Sequence, residues 1–164
     1  ETVARHTDWL RNTDAVLAAR PPPRPLDVVL DGVRSGENVG SVMRTLETAN
    51  GRRVVTCGTT PAPPHPAVLK AACGAVVETR AAPDALDVIR RLQQDDGAVV
   101  WALETTDAAV SLYDLRVPPG DNVPLALVLG NELVGVSPDV LVAADAVVRI
   151  PTFGVKNSLN VACA

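Results

Sequence analysis

The run Leu125-Ala126-Leu127-Val128-Leu129 constrains this chain more than any other segment. It has the length of a strand and carries no polar residue on either alternating face. A strand that is apolar on both sides has to be covered on both sides, as the inner strands of parallel sheets are. It ends at Gly130, and Asn131 and Glu132 follow directly. Polar groups just beyond the carboxyl ends of such strands are where open α/β sheets bind ligands.

The rest of the chain alternates in the same sense. Strands are expected at 27–31, 53–57, 76–79, 97–103, 124–129 and 146–150, and helices at 37–50, 65–73, 83–95 and 138–144. This order predicts a parallel sheet flanked by helices. Residues 4–19 read as an N-terminal helix, and Pro21–Pro25 as a stiff connector. The expected organisation is therefore residues 1–25 as helix and connector and 26–164 as one α/β domain. Thr59–Pro66 and Val117–Val123 read as loops.

Two more strand-to-helix junctions carry polar residues. Glu37–Gly51 follows the apolar Val28-Val29-Leu30. Asn38 is placed to cap a helix, and Val39, Val42, Met43, Leu46 and Ala49 form an apolar stripe at helical spacing. Arg44 falls off that stripe, and Gly51 sits where a left-handed C-cap is expected. At the far end, Ala146–Ile150 stops at Pro151, which has no N–H to continue a ladder. A Gly-containing turn follows. Ser158-Leu159-Asn160 then stands where a helix should begin, with residue types that cap helices and offer short hydrogen-bonding groups.

These three segments, N-x-G-x-x-x-R-T at Asn38, L-G-x-E-x-x-G at Leu129 and I-P-x-x-G-x-x-x-S-L-N-V at Ile150, resemble in order the motifs of the SpoU/TrmH family of RNA 2′-O-methyltransferases, within the SPOUT superfamily. The resemblance runs from about Leu26 to Ala164. It implies a C-terminal deep trefoil knot, with a further C-terminal helix expected beyond the recorded chain. It also implies S-adenosylmethionine as methyl donor, held in the knot loops by Leu103, Glu104, Leu129, Gly130, Ile150, Pro151, Ser158 and Leu159. The implied catalytic set is Arg44, Asn38, Glu132, Ser158 and Asn160.

Within that set, Arg44 is expected to clamp phosphate and stabilise the attacking oxygen, since a guanidinium releases its proton too reluctantly to be a ready base. Asn38 would hold Arg44 or the ribose, and Glu132 would orient the site or residues of a partner subunit. Ser158 and Asn160 would complete the substrate pocket, and Glu104 would approach the methionine end of the donor. The partners implied are RNA and a second copy of the chain. The apolar stripe of the Arg44 helix and the separate apolar terminal segment are compatible with a homodimer. With only a short helix before the first motif, tRNA is slightly favoured over rRNA.

Composition narrows the classes further. No apolar run approaches the roughly 18 residues that span a bilayer, and no signal peptide is visible, so a cytoplasmic protein is expected. The three cysteines, Cys57, Cys73 and Cys163, lie in apolar contexts and read as reduced core thiols. No metal is expected, because there is no C-x-x-C pair and His6 and His65 are far apart. The net charge of −4 speaks mildly against a nonspecific nucleic-acid binder. Arg5, Arg11, Arg20, Arg24, Arg34, Arg44, Arg52 and Arg53 crowd the first third. For each except Arg44, a solvated surface charge is as good a reading as an RNA track.

Two other classes stand beside the enzyme. One is a catalytically silent SPOUT-fold RNA-binding subunit, against which the intact motif set speaks. The other is a flavodoxin-like nucleotide-binding domain, against which speaks the lack of a glycine-rich phosphate loop after the first strand.

Overall fold

The computed structural model describes residues 13–116 and 123–164. Seven strands form one sheet in the order β3-β2-β1-β6-β4-β7-β5, and every neighbouring pair is parallel. The strands are β1 Arg24–Asp31, β2 Gly51–Cys57, β3 Glu78–Ala82, β4 Val99–Leu103, β5 Val110–Ser111, β6 Leu125–Gly130 and β7 Ala146–Arg149. The described helices are α1 Thr13–Ala19, α2 Gly36–Thr48, α3 Pro66–Ala72, α4 Ala85–Asp95 and α5 Pro138–Ala143. β1 begins at Arg24, inside the expected connector. The expected helix over 4–19 and loop over 117–123 lie mostly outside the described residues. None of the helices among the described residues is long and apolar enough to cross a membrane.

The period-two pattern of the strands sorts the core into two layers. Val29, Val100, Ala126 and Val128 face α4 and α5, where Ile89, Leu92 and Val140 cover them. Val28, Leu30, Val54 and Leu129 face α2 and α3, meeting Val39, Val42, Met43, Leu46 and Val68. The double-sided covering expected of β6 is therefore met. The apolar stripe of α2 is consumed within the chain, so it is not free to form a subunit contact; only Ala49 of that stripe is exposed.

Several local expectations are corrected. The N-cap of α2 is Ser35, whose hydroxyl accepts the amide N–H of Asn38, which leaves the Asn38 side chain free to work elsewhere. Gly51 is not a left-handed cap. Asn50 adopts φ 56° instead, and Gly51 opens β2 where a side chain would collide with Leu46. Cys57 is the only core thiol of the three. Burial, with Asp31 and Asp84 nearby, pushes it up to about 12. Cys73 is exposed because it takes the left-handed C-cap of α3, at φ 51°, and Cys163 is exposed near the chain end. The two-residue β5 has too little sequence to announce itself.

Three of the crowded arginines prove structural. Arg52 donates Nε to Asp27 Oδ1 at 2.8 Å and Nη2 to Asp27 Oδ2 at 2.6 Å. Arg53 reaches the same carboxylate at 3.0 Å, and both arginines also meet Asp96. The hydrogen bonds to Asp27 raise the Arg52 pKa further, against a desolvation cost. Arg20 bridges Asn50, Glu47 and Val76. Those side chains are engaged in contacts within the fold.

Candidate functional site

β4, β6 and β7 are adjacent and parallel, so their carboxyl ends open on the same edge of the sheet. The segments leaving them converge on a cleft of about 460 Å³. Leu103, Glu104 and Thr105 line it from the end of β4, residues 129–135 from β6, and Arg149, Ile150, Thr152 and residues 157–161 from β7. Such a volume suits a nucleoside-sized ligand.

The β6 turn is built by Asn131. Its Oδ1 accepts the amides of Leu133 and Val134, its Nδ2 donates to the Gly32 carbonyl at 2.7 Å, and its backbone pairs with Gly135. Gly135 sits at φ +75°, and a side chain there would strike the Glu104 carboxylate. Glu104 has both oxygens engaged: Oε1 accepts the Thr105 amide at 2.8 Å and Oε2 the Val136 amide at 2.9 Å. It lines the cleft as expected, but it works as a suture between the β4 and β6 loops. Thr105 Oγ1 in turn donates to the Asn157 carbonyl at 3.2 Å and ties in the third loop.

Glu132 reaches out of the β6 turn to the start of α2. Its Oε2 accepts the Arg34 amide at 2.8 Å, and its Oε1 accepts the Ser35 amide at 3.1 Å and the Asn38 side-chain amide at 2.8 Å. A carboxylate at a helix N-terminus is favoured by both the orphan amides and the helix dipole. Burial acts against the charge. The Arg34 amide, Asn38 and the Ser35 amide outweigh it, and the carboxyl is held below its ordinary range. Asn38 was expected to hold Arg44 or the ribose; within the chain its side-chain amide donates to Glu132.

The sign of this linkage gives a test. A depressed folded pKa contributes stability that is present above the ordinary carboxyl value of 4.5 and is lost as pH falls through the lowered value. Glu132→Gln should thus cost about 1 kcal/mol at neutral pH, a small figure for an exposed group, and should cost progressively less in acid. Urea unfolding of both proteins at neutral pH and near pH 3 checks it; a gap that widens in acid would contradict it.

Among the expected residues, Leu103, Glu104, Leu129, Gly130, Glu132, Ile150, Ser158, Leu159 and Asn160 all line the cleft. Pro151 does not, although its neighbours Ile150 and Thr152 do. Asn38 and Arg44 do not line it either. Arg44 is exposed on α2, without an ion-pair partner among the described residues. Asn160 Oδ1 accepts the Ala162 amide, and its carbonyl accepts those of Cys163 and Ala164, so a turn, not the expected helix, follows Asn160 in the described residues. Sequence reading missed Asn131 and Thr105. Asn131 was findable: an Asn followed four residues later by Gly favours a side-chain-closed turn.

A sequence model of the SpoU rRNA Methylase family matches residues 25–164. The chain is 34% identical over 142 residues to "23S rRNA (guanosine-2'-O-)-methyltransferase RlmB" of Burkholderia sp, covering 86% of this chain and 56% of that protein. Over 143 residues it is 33% identical to the protein of the same name from Pseudomonas syringae pv. tomato, covering 85% and 54%. The chain thus spans about half the length of the curated relatives it matches. Among solved structures, a putative RNA methyltransferase of the TrmH family from Porphyromonas gingivalis superposes with a TM-score of 0.75 at 31% identity, over 90% of this chain and 59% of that one. An AdoMet-bound rRNA methyltransferase from Sinorhizobium meliloti gives 0.75 at 27%, over 88% and 57%.

Proposed function

Because this chain belongs to the SpoU rRNA methylase family, we propose that it methylates a ribose 2′-hydroxyl of RNA with S-adenosylmethionine as donor, and that the RNA is ribosomal. The observation that carries this reading is the cleft at the ends of β4, β6 and β7, locked through Glu132 to the helix that bears Arg44. The slight expectation of a tRNA target is set aside, because the curated relatives above are named for 23S rRNA.

The cleft fits the donor by its chemistry. Leu103, Leu129 and Ile150 offer apolar surface for a purine, and Asn157, Ser158 and Asn160 offer hydrogen-bonding groups for a ribose and an amino acid. When bound, S-adenosylmethionine supplies a methyl group on a positively charged sulfur with a thioether as leaving group. The 2′-oxygen would displace the thioether at that methyl carbon, with Leu103, Leu129 and Ile150 beside the purine and Asn157, Ser158 and Asn160 beside the ribose and amino acid of the donor. With so reactive a donor, holding the two reactants in line supplies much of the rate. Glu132 and Asn38 act as positioning residues for α2. Arg44 would clamp an RNA phosphate and stabilise the oxygen as it gains charge. The reading retains the trefoil knot. The tail returns to the core, where Val161 and Ala162 pack against the layer that α2 and α3 cover.

Arg44 does not line the cleft of its own chain. A second copy that delivers its Arg44 across a two-fold axis would complete the site, so the active form is proposed to be a homodimer. Mixing Arg44→Ala with Asn160→Ala subunits should then restore about a quarter of wild-type activity, the statistical yield of intact composite sites. No recovery after unfolding and joint refolding would place each site within one chain. The direct test of function is mapping ribosomal 2′-O-methylation in cells with and without the protein. A map unchanged at every position would refute the reading.

A further inference from the structure

The chain has one phenylalanine, and it stands in solvent. Phe153 is 97% exposed, in a protein whose aromatic residues make up 2% of the sequence. A ring of that size is ordinarily core material. Its neighbour Thr152 lines the cleft, as do Asn157 and Ser158 on the far side of the same loop, so the ring sits on the lip of the site. A side chain at Gly154 would meet no atom of the described residues within 4 Å. Lys156, one of two lysines in the chain, is exposed three residues further on. No acidic residue occurs between Ile150 and Ala164, although the chain as a whole is acidic.

An exposed ring and an exposed ammonium three residues apart, in an acid-free segment, are complementary to a base and its phosphate. An apolar protein surface would gain little from the lysine. RNA read outside a helix presents splayed bases, which stack on aromatic side chains. We infer that Phe153 and Lys156 form an RNA-reading lip on the cleft, the ring stacking on a base next to the methylated nucleotide and the ammonium meeting the adjoining phosphate. This rests on the RNA methyltransferase reading above and adds to it where the substrate strand lies.

The test uses the full-length protein and two probes. One is a short single-stranded RNA carrying 2-aminopurine; the other is ribosomal RNA from cells lacking the protein. The wild type should quench the 2-aminopurine on binding. Phe153→Ala should abolish the quenching and weaken RNA binding about tenfold, the effect of losing one stacked base. Phe153→Trp should keep both properties, whereas the equally apolar Phe153→Leu should not. S-adenosylmethionine affinity should be unchanged throughout. Lys156→Met should lower the slope of log Kd against log salt by about 0.7, one phosphate contact to a single strand.

If Phe153→Ala and Phe153→Leu bind RNA like the wild type while cofactor binding and methylation persist, the lip is refuted and the enzyme reading stands. It is equally refuted if Phe153→Ala lowers the mass by light scattering without changing RNA affinity, for the ring is then a subunit contact. If the wild type binds neither S-adenosylmethionine nor RNA, the enzyme reading itself fails, and the lip fails with it.

Discussion

Replacing Arg44 by alanine is expected to slow single-turnover methylation about a hundredfold to a thousandfold, while S-adenosylmethionine binding stays near wild type. A contact made mainly in the transition state is worth about 3–4 kcal/mol, which sets that range. The expected separation of the two effects follows from position. Arg44 is exposed on α2, outside the cleft of its own chain, and the guanidinium delivered to a partner's cleft is proposed to act on the RNA phosphate and the 2′-oxygen, not on the donor. Arg44→Lys should fail as well, because a point charge does not reproduce the planar fork that spans a phosphate and a hydroxyl. Asn160→Ala should impair both binding and transfer, since Asn160 lines the cleft and also caps the turn that follows. An Arg44→Ala rate equal to wild type, with saturating labelled donor, would remove Arg44 from the mechanism and point to another group at the 2′-oxygen.

The largest effect on stability is expected far from that site. Asp27→Ala should destabilise the protein by about 3–5 kcal/mol, because it strands two partly buried guanidinium groups. Asp27 is 1% exposed and accepts from both Arg52 and Arg53. Asp96 alone cannot replace it, for it already meets both arginines at 2.9 and 3.3 Å, and Arg53 Nε has no partner even in the intact network. Against a typical total stability of about 5–15 kcal/mol, such a loss brings the protein close to unfolding at growth temperature. Replacing Asp27, Arg52 and Arg53 together by apolar residues of similar volume should cost much less, since no charge is then left buried alone. Urea unfolding of the single and triple variants decides the matter. Equal losses for both would show that packing, not charge pairing, sets the cost.

What could be read from the chain alone follows from local periodicity. The apolar run of β6, the stripe of α2 and the alternation of strands with helices each depend on which faces a segment has to bury, and burial pattern is written along the segment itself. The α/β class, the strand and helix positions to within a few residues, and about half of the cleft lining were therefore legible. The three motif segments were legible for the same reason, since each lies within one strand end and the turn after it.

Pairwise tertiary relations were not legible. That Asn38 grips Glu132, 94 residues away, depends on β1 and β6 being sheet neighbours, and no local pattern encodes strand order. The same holds for Arg52 and Arg53, which look like surface charges until β2 is laid beside β1 and brings them to Asp27. Glu104 was expected near the methionine end of the donor, and it does line the cleft. Only the approach of the β6 turn, with Gly135 leaving no room for a side chain, turned its carboxylate toward the Val136 amide. Residue types and spacing determined what chemistry the strand ends could carry. The order of the parallel strands determined which of those groups meet, because hydrogen bonds a few ångströms long between distant segments form only after the sheet has set their distance.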